Sequence, residues 1–298
     1  MRRWVMATVF AAAAHGAWAA DLPDLSDLPV LRGGITDGLS RSSVNWQGAY
    51  VGGQVGYTSA NMDFSNATSS LASQMLQNSI LQSIISEWTV MGKSSPTSTS
   101  FGGFVGYNAQ WDDAVLGIEA NYSHFSGLKG VSAGSVGPLS VTPAGETPPP
   151  NHTYVYHVAM NGSATAQVTD AMTFRGRAGY AVGNFLPYVF GGIAVGRVNY
   201  SRNVALDDTI YDWLTTTTVV NQTPVTNTTF AGSSTQTPLS AADSGTAYAY
   251  GYTAGFGLET MLWGGLFARG EYEYIKFTSI KNIGITTNTV RGGLGYKF

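Results

Sequence analysis

The stretch from Thr287 to Phe298 restricts the possible folds more than any other. Val290, Gly292, Leu294, Tyr296 and Phe298 share one parity and are apolar or small, whereas Thr287, Thr289, Arg291, Gly293, Gly295 and Lys297 share the other and are polar or small. A period of two makes a strand with two unlike faces. In a soluble sheet a bare aromatic residue at the strand end has little to bury it. In a lipid-spanning strand it falls at the membrane interface, where aromatic girdles form. The stretch therefore reads as the closing strand of a membrane barrel.

Charge is scarce in the way this reading requires. Only 11% of residues are charged, against about 25% in ordinary soluble domains. Yet mean hydropathy is only +0.01, and past the first residues no window approaches the run of about eighteen apolar residues that a transmembrane helix needs. Strands that show lipid only alternate residues satisfy both facts. A net charge of -3 gives no reason to expect a nucleic-acid partner.

The beginning of the chain reads as an export signal over residues 1–20. Arg2 and Arg3 precede the apolar run Trp4 to Ala14, and Ala17-Trp18-Ala19 forms an A-x-A cleavage site. With no Cys, an exported chain has no disulfides to stabilise it. Residues 21–45 mix Pro, Gly, Ser and Asp with isolated Leu, and read as a flexible periplasmic segment.

Residues 46–298 then carry eight alternating segments. Trp46 to Thr58 places Gly48, Tyr50, Gly52, Gln54 and Gly56 on an inward face. Phe101 to Trp111 and Val115 to Phe125 follow, the latter with Glu119 inward. Tyr154 to Tyr180 reads as one long strand with Arg175 and Arg177 on the second parity. Pro187 to Tyr200 is apolar on both parities until Arg197, which is placed inward. Ala247 to Glu259 sets Tyr248, Tyr250 and Tyr252 outward and Glu259 inward. The segment after Gly264 sets Arg269, Glu271 and Glu273 inward, and the closing strand sets Arg291 and Lys297 inward. An Arg or Lys facing lipid at the bilayer midplane costs about 2–4 kcal/mol, which is the reason for the inward placements.

Connections alternate between long and short. Asn61 to Ser98, Ser126 to Asn151 and Ser201 to Thr246 are long and read as extracellular loops, whereas Asp112 to Ala114, Val182 to Leu186 and Thr260 to Gly264 are tight. In the first loop, Leu71 to Met91 carries apolar residues at three- and four-residue spacing, the mark of an amphipathic helix. Its polar face lacks Lys and Arg, so it is expected to pack on the rim or over the lumen instead of lying on lipid. The fold class is thus all-β: an eight-stranded antiparallel up-and-down transmembrane β-barrel with long extracellular loops, one carrying a helix. In so narrow a barrel Glu119, Glu259, Glu271 and Glu273 should form an ion-pair network with Arg175, Arg177, Arg197, Arg269, Arg291 and Lys297.

Several stretches resemble the small porin-like outer-membrane β-barrel surface proteins of Gram-negative bacteria: Trp46-Gln47-Gly48-Ala49-Tyr50-Val51-Gly52-Gly53, Arg175-Gly176-Arg177-Ala178-Gly179-Tyr180, Pro187-Tyr188-Val189-Phe190-Gly191-Gly192, Glu271-Tyr272-Glu273-Tyr274 and Asn288 to Phe298. The resemblance implies an outer-membrane location, an eight-stranded barrel, and insertion by the outer-membrane assembly machinery through the closing aromatic strand. Leu294, Tyr296 and Phe298 are the expected carriers of that assembly signal.

A structural or porin-like role in the envelope is the first functional expectation. The second is a surface adhesin or ligand-binding barrel working through its long loops. The bilayer and lipopolysaccharide are the expected partners. His124, His152 and His157 are the only candidates for a rim chemistry, and no motif sets a Ser or carboxylate beside them in sequence, so no enzyme is expected. Nor is a cofactor or metal, since Cys is absent and the His spacing matches no ligand pattern.

Overall fold

Alternation at eight segments closes into a ring. The structure is a computed structural model that describes residues 44–298; the expected signal at 1–20 and all but the end of the 21–45 segment lie outside the described residues. In chain order the elements are β1 (Gly48–Asp63), α1 (Ser69–Met75), α2 (Gln82–Ile85), β2 (Lys93–Ser94), β3 (Thr97–Trp111), β4 (Ala114–Val141), β5 (His152–Tyr180), β6 (Phe185–Val220), β7 (Thr223–Thr235), β8 (Leu239–Trp263), β9 (Leu266–Phe277) and β10 (Gly284–Lys297). β1, β3, β4, β5, β6, β8, β9 and β10 pair antiparallel with their neighbours, and β10 closes on β1 from Tyr50↔Lys297 to Asp63↔Gly284. Closure leaves no hydrogen-bonding edge facing lipid, the condition for a sheet to span a membrane.

The outer surface of the ring is an apolar belt. Val55, Val105, Ile118, Phe174, Val189, Ile193, Phe256, Val290 and Leu294 are all exposed on it. Aromatic residues mark its two margins, Tyr57, Phe101, Tyr248 and Tyr250 at one and Trp111, Phe185, Trp263 and Phe298 at the other.

Two expected loops are strand instead. β4 pairs with β5 as far as Val141↔Tyr156, β5 with β6 as far as His152↔Leu214, and β6 turns at Asn221 and Gln222 into β7. Thr, Ser and Asn read as loop because they lack alternation, but β-branched Thr suits a strand that faces water on one side. The barrel wall therefore continues outward as a sheet of β4, β5 and β6, with β8 and then β7 pairing in succession along the other edge of β6.

Bulges explain why a single parity rule fails along the longest strand. In β5, Val158, Met160, Ala164, Ala166 and Val168 are buried, then a register shift at Val168/Asp170 intervenes, and below it Ala171, Thr173, Arg175 and Arg177 are the buried set. One extra residue exchanges the two faces. The even positions of β5 thus face the core above the bulge and lipid below it.

The helical segment also differs from expectation. Two short helices replace a single helix over 71–91, separated by a turn in which Asn78 takes a φ of 70°. Leu71, Ala72, Leu76, Leu81, Ile85, Val90 and Met91 bury against Met62, Phe64, Val158, Met160, Leu206, Ile275, Phe277, Ile283 and Ile285, which fills the outer mouth with an apolar core. Burying this stripe inside the mouth outweighs continuing one helix across it.

Candidate functional site

Below that core lies a layer of buried charge. β4 supplies Glu119, β5 Arg175 and Arg177, β8 Glu259, β9 Arg269, Glu271 and Glu273, and β10 Arg291, each at most 4% exposed. Glu119 bonds to Arg175 at 2.5 Å and to Arg269 at 2.8 Å. Glu259 bridges Arg269 at 2.6 Å and Arg177 at 2.8 Å. Glu271 takes Arg291 at 2.6 Å and Arg175 at 2.7 Å, and Glu273 takes Arg291 at 2.9 Å. Four carboxylates meet four guanidiniums, so the layer is neutral, and every guanidinium touches at least two carboxylates. A buried charge is tolerable only when it is so paired and hydrogen-bonded.

Neutral groups complete the layer. Tyr50 Oη donates to Glu119 at 2.8 Å, Thr253 Oγ1 donates to Glu273 at 2.9 Å, and Tyr188 Oη donates to Glu271. Arg269 lies 3.8 Å over the Phe104 ring, Arg177 3.9 Å over Tyr188, and Arg175 4.0 Å over Phe190. Such stacking suits the weakly hydrated guanidinium. Beneath, Trp46, Tyr50, Phe104, Leu186, Tyr188, Phe190 and Phe267 form a second apolar cluster. Glycine on neighbouring strands makes the room: a Cβ at Gly106 would stand 2.3 Å from Tyr50 Oη, and one at Gly257 would stand 2.6 Å from the Tyr188 ring.

Two expected members lie elsewhere. Arg197 points outward, because Tyr188, Phe190, Ala194 and Val198 hold the other parity of β6 in the core. Apolar residues on both faces of β6 hid this from the sequence; the aromatic rings stacked on Arg175 and Arg177 decide it. Lys297 shares the inward parity but lies at the periplasmic rim, where its Nζ donates to the Gln47 carbonyl at 3.0 Å instead of reaching a carboxylate. Sequence reasoning missed Tyr188, Phe190 and Phe104 as members, though Tyr50, Gln54 and Thr253 were legible from their inward parity on β1 and β8.

Leu294, Tyr296 and Phe298, the expected assembly signal, all turn to the outside, at 57%, 47% and 73% exposed. The Tyr296 and Phe298 rings meet edge-on at 5.4 Å. The three described histidines do not gather. His124 Nδ1 pairs with Asp170 at 2.9 Å, His152 Nδ1 with Asp212 at 2.8 Å, and His157 Nε2 with Ser140 Oγ at 3.1 Å. These partners, distant in sequence, went unforeseen, and no histidine joins both a hydroxyl nucleophile and a carboxylate among the described hydrogen bonds.

The profile of the outer membrane protein beta-barrel domain matches residues 39–298. No curated protein sequence matches the chain. Among solved structures, the attachment invasion locus protein Ail of Yersinia pestis is similar at 9% identity and a TM-score of 0.32, with 84% of this chain and 99% of that one covered. The N-terminal barrel of Pseudomonas aeruginosa OprF is similar at 12% identity and a TM-score of 0.31, with 84% and 98% covered. Neisserial surface protein A stands at 10% identity and a TM-score of 0.27, with 84% and 97% covered.

Proposed function

Because the chain belongs to the outer-membrane β-barrel domain family and resides in the cell outer membrane, we propose that it is a sealed barrel that anchors an extracellular sheet for contacts at the cell surface. The carrying observation is the filled interior. Side chains of the charge layer meet across the barrel, Glu119 of β4 with Arg269 of β9 and Arg175 of β5 with Glu271 of β9; an apolar cluster lies beneath, and the α1–α2 core caps the outer mouth. Passage of solute would require breaking several buried ion pairs at once, each costly to disrupt. The extended hairpins, by contrast, hold an ordered sheet out in water, where recognition residues usually sit.

The role is read as structural and adhesive, without catalysis. Lipopolysaccharide is the proposed outer-leaflet partner: Arg197 and Lys276 are exposed beside Tyr248 and Tyr252 at the outer margin of the belt, placed to meet its anionic groups. The insertion machinery is the proposed partner of Leu294, Tyr296 and Phe298. Planar-bilayer recordings of the purified full chain test the sealed interior. No steps above the lipid baseline are expected, and a stable open conductance would overturn the reading. Surface contact is tested by excising residues 205–240 and measuring adhesion of cells that display equal amounts of barrel; unchanged adhesion would count against it.

A further inference from the structure

The extracellular sheet ends on an uncovered edge. β7 pairs with β6 alone among the described elements, and every residue from Thr223 to Phe230 is exposed. An open strand edge is a template for another strand, and proteins usually block it with charge, Pro or a bulge. Here Pro224 stands at the tip, and a register irregularity beside Trp213 and Phe230 stands at the other end. Between them runs Val225-Thr226-Asn227-Thr228-Thr229-Phe230, without charge, Pro or Gly and rich in β-branched residues. That is the composition of segments that pair with themselves. No charged residue occurs anywhere from Trp213 to Ala242.

We propose that the β7 edge pairs antiparallel with the β7 edge of a second copy of this chain held in a facing outer membrane. This deepens the reading of the extracellular sheet as a contact surface. Identical strands pair antiparallel only about a two-fold axis perpendicular to the sheet, which opposes residues of like parity. Centred on Thr228, the pairing sets Thr228 against its own copy and Thr226 against Phe230, a Thr–Thr and an aromatic–β-branched pair of the kind that stabilises sheets.

The axis also fixes where the second copy sits. β6 and β7 continue the barrel wall away from the lipid belt, at roughly 3.3 Å per residue. Reversing the strand direction therefore turns the partner barrel over, which two copies in one membrane cannot do. An uncharged edge suits an identical partner, since no register of self-pairing opposes like charges. The base of the edge is also anchored by ring contacts. Phe230 packs 5.8 Å from Trp213 and 6.2 Å from Tyr211, so little ordering is left to be done on contact.

The test uses full-length chain in two sets of vesicles, one carrying a donor lipid dye and the other an acceptor, all with the chain's extracellular side outward. Wild-type vesicles are expected to tether. T228K on both sets, or T228E on both sets, should lower tethering by at least about tenfold, because like charges then face each other. T228K vesicles mixed with T228E vesicles should recover it. Heat-modifiable gel migration confirms that each variant barrel is folded. Wild-type vesicles that stay apart, T228K vesicles that tether as wild type, or a mixed pair that fails to recover would each overturn the proposal. So would copies that cross-link within one vesicle set without tethering. Conductance is measured separately, so failure here leaves the sealed-barrel reading standing, and an open channel would not mimic loss of tethering.

Discussion

Glu119 touches Arg175, Arg269 and, at 3.4 Å, Arg177, besides accepting the Tyr50 hydroxyl. Its removal leaves guanidiniums buried without their counter-charge. Glu119→Ala is expected to destabilise the barrel by about 3–5 kcal/mol, read from urea unfolding of detergent-refolded protein. A loss under about 1 kcal/mol would show the layer to be dispensable. Arg197→Ala is the matched control. Its side chain is outside, and its replacement should change stability by less than about 0.5 kcal/mol, although Arg197 and Glu119 both read as inward in sequence.

Asp208, on the inner face of the extracellular sheet, shows a different residue effect. Burial, and then the neighbouring Asp207, push its carboxyl above the usual carboxylate range. The native state therefore binds this proton more tightly than the unfolded chain does. Its contribution is most favourable below the unfolded pKa of about 3.9 and declines as pH rises through the raised native value. Asp208→Asn removes that slope. The variant should be more stable than wild type at pH 7, with the difference shrinking towards pH 4; equal pH profiles would refute the assignment.

Among elements, the helical segment and the closing strand carry separable tasks. Replacing residues 66–88 with a short linker removes the apolar cap but leaves the charge layer of β4, β5, β8, β9 and β10 intact. Bilayer recordings of this variant should remain silent, and steady conductance would place the seal in the helices instead. Tyr296 near the end of β10 and Phe298 just beyond it lie on the lipid side of a strand already held to β1 by an unbroken ladder. Replacing both with Ala should lower the amount of barrel in the outer membrane several-fold, measured by fractionation. Refolded stability should fall by less than the loss of one buried ion pair. The reverse ranking would make their role packing alone.

For the whole molecule, one ring does two kinds of work along its length. In the lipid belt the outward parity is apolar and the inward parity carries the charge layer with an apolar cluster beneath it, whereas above the bulges the outer face is wetted and the inner face buries Val158, Met160, Val204 and Leu206. The register shifts at His124/Leu128 and Val168/Asp170 are where one regime passes to the other. This inversion hid the extracellular parts of β4, β6 and β7 from sequence reasoning, although β5 was read as one long strand. Thr and Ser in β6 and β7 are equally at home in a loop or in a wetted strand, and only a neighbouring strand settles which.

Within the belt, local chemistry sufficed. Which side chain meets lipid is a constraint on each residue in turn, so alternation, with the even strand number that a bacterial barrel requires, located eight strands, their closing partner and the inward facing of Glu119, Arg175, Arg177, Glu259, Arg269, Glu271, Glu273 and Arg291. Pairing is another matter. Arg269 meets Glu119 across 150 residues of chain, and many combinations of four acids and four bases are consistent with the same parities. The choice among them comes from the register and bulges of the closed ring, the outward turn of Arg197 from the core that claims the other face of β6, and the place of the helices from the apolar mouth they fill. Those are properties of how strands neighbour one another in space, and no single strand encodes them.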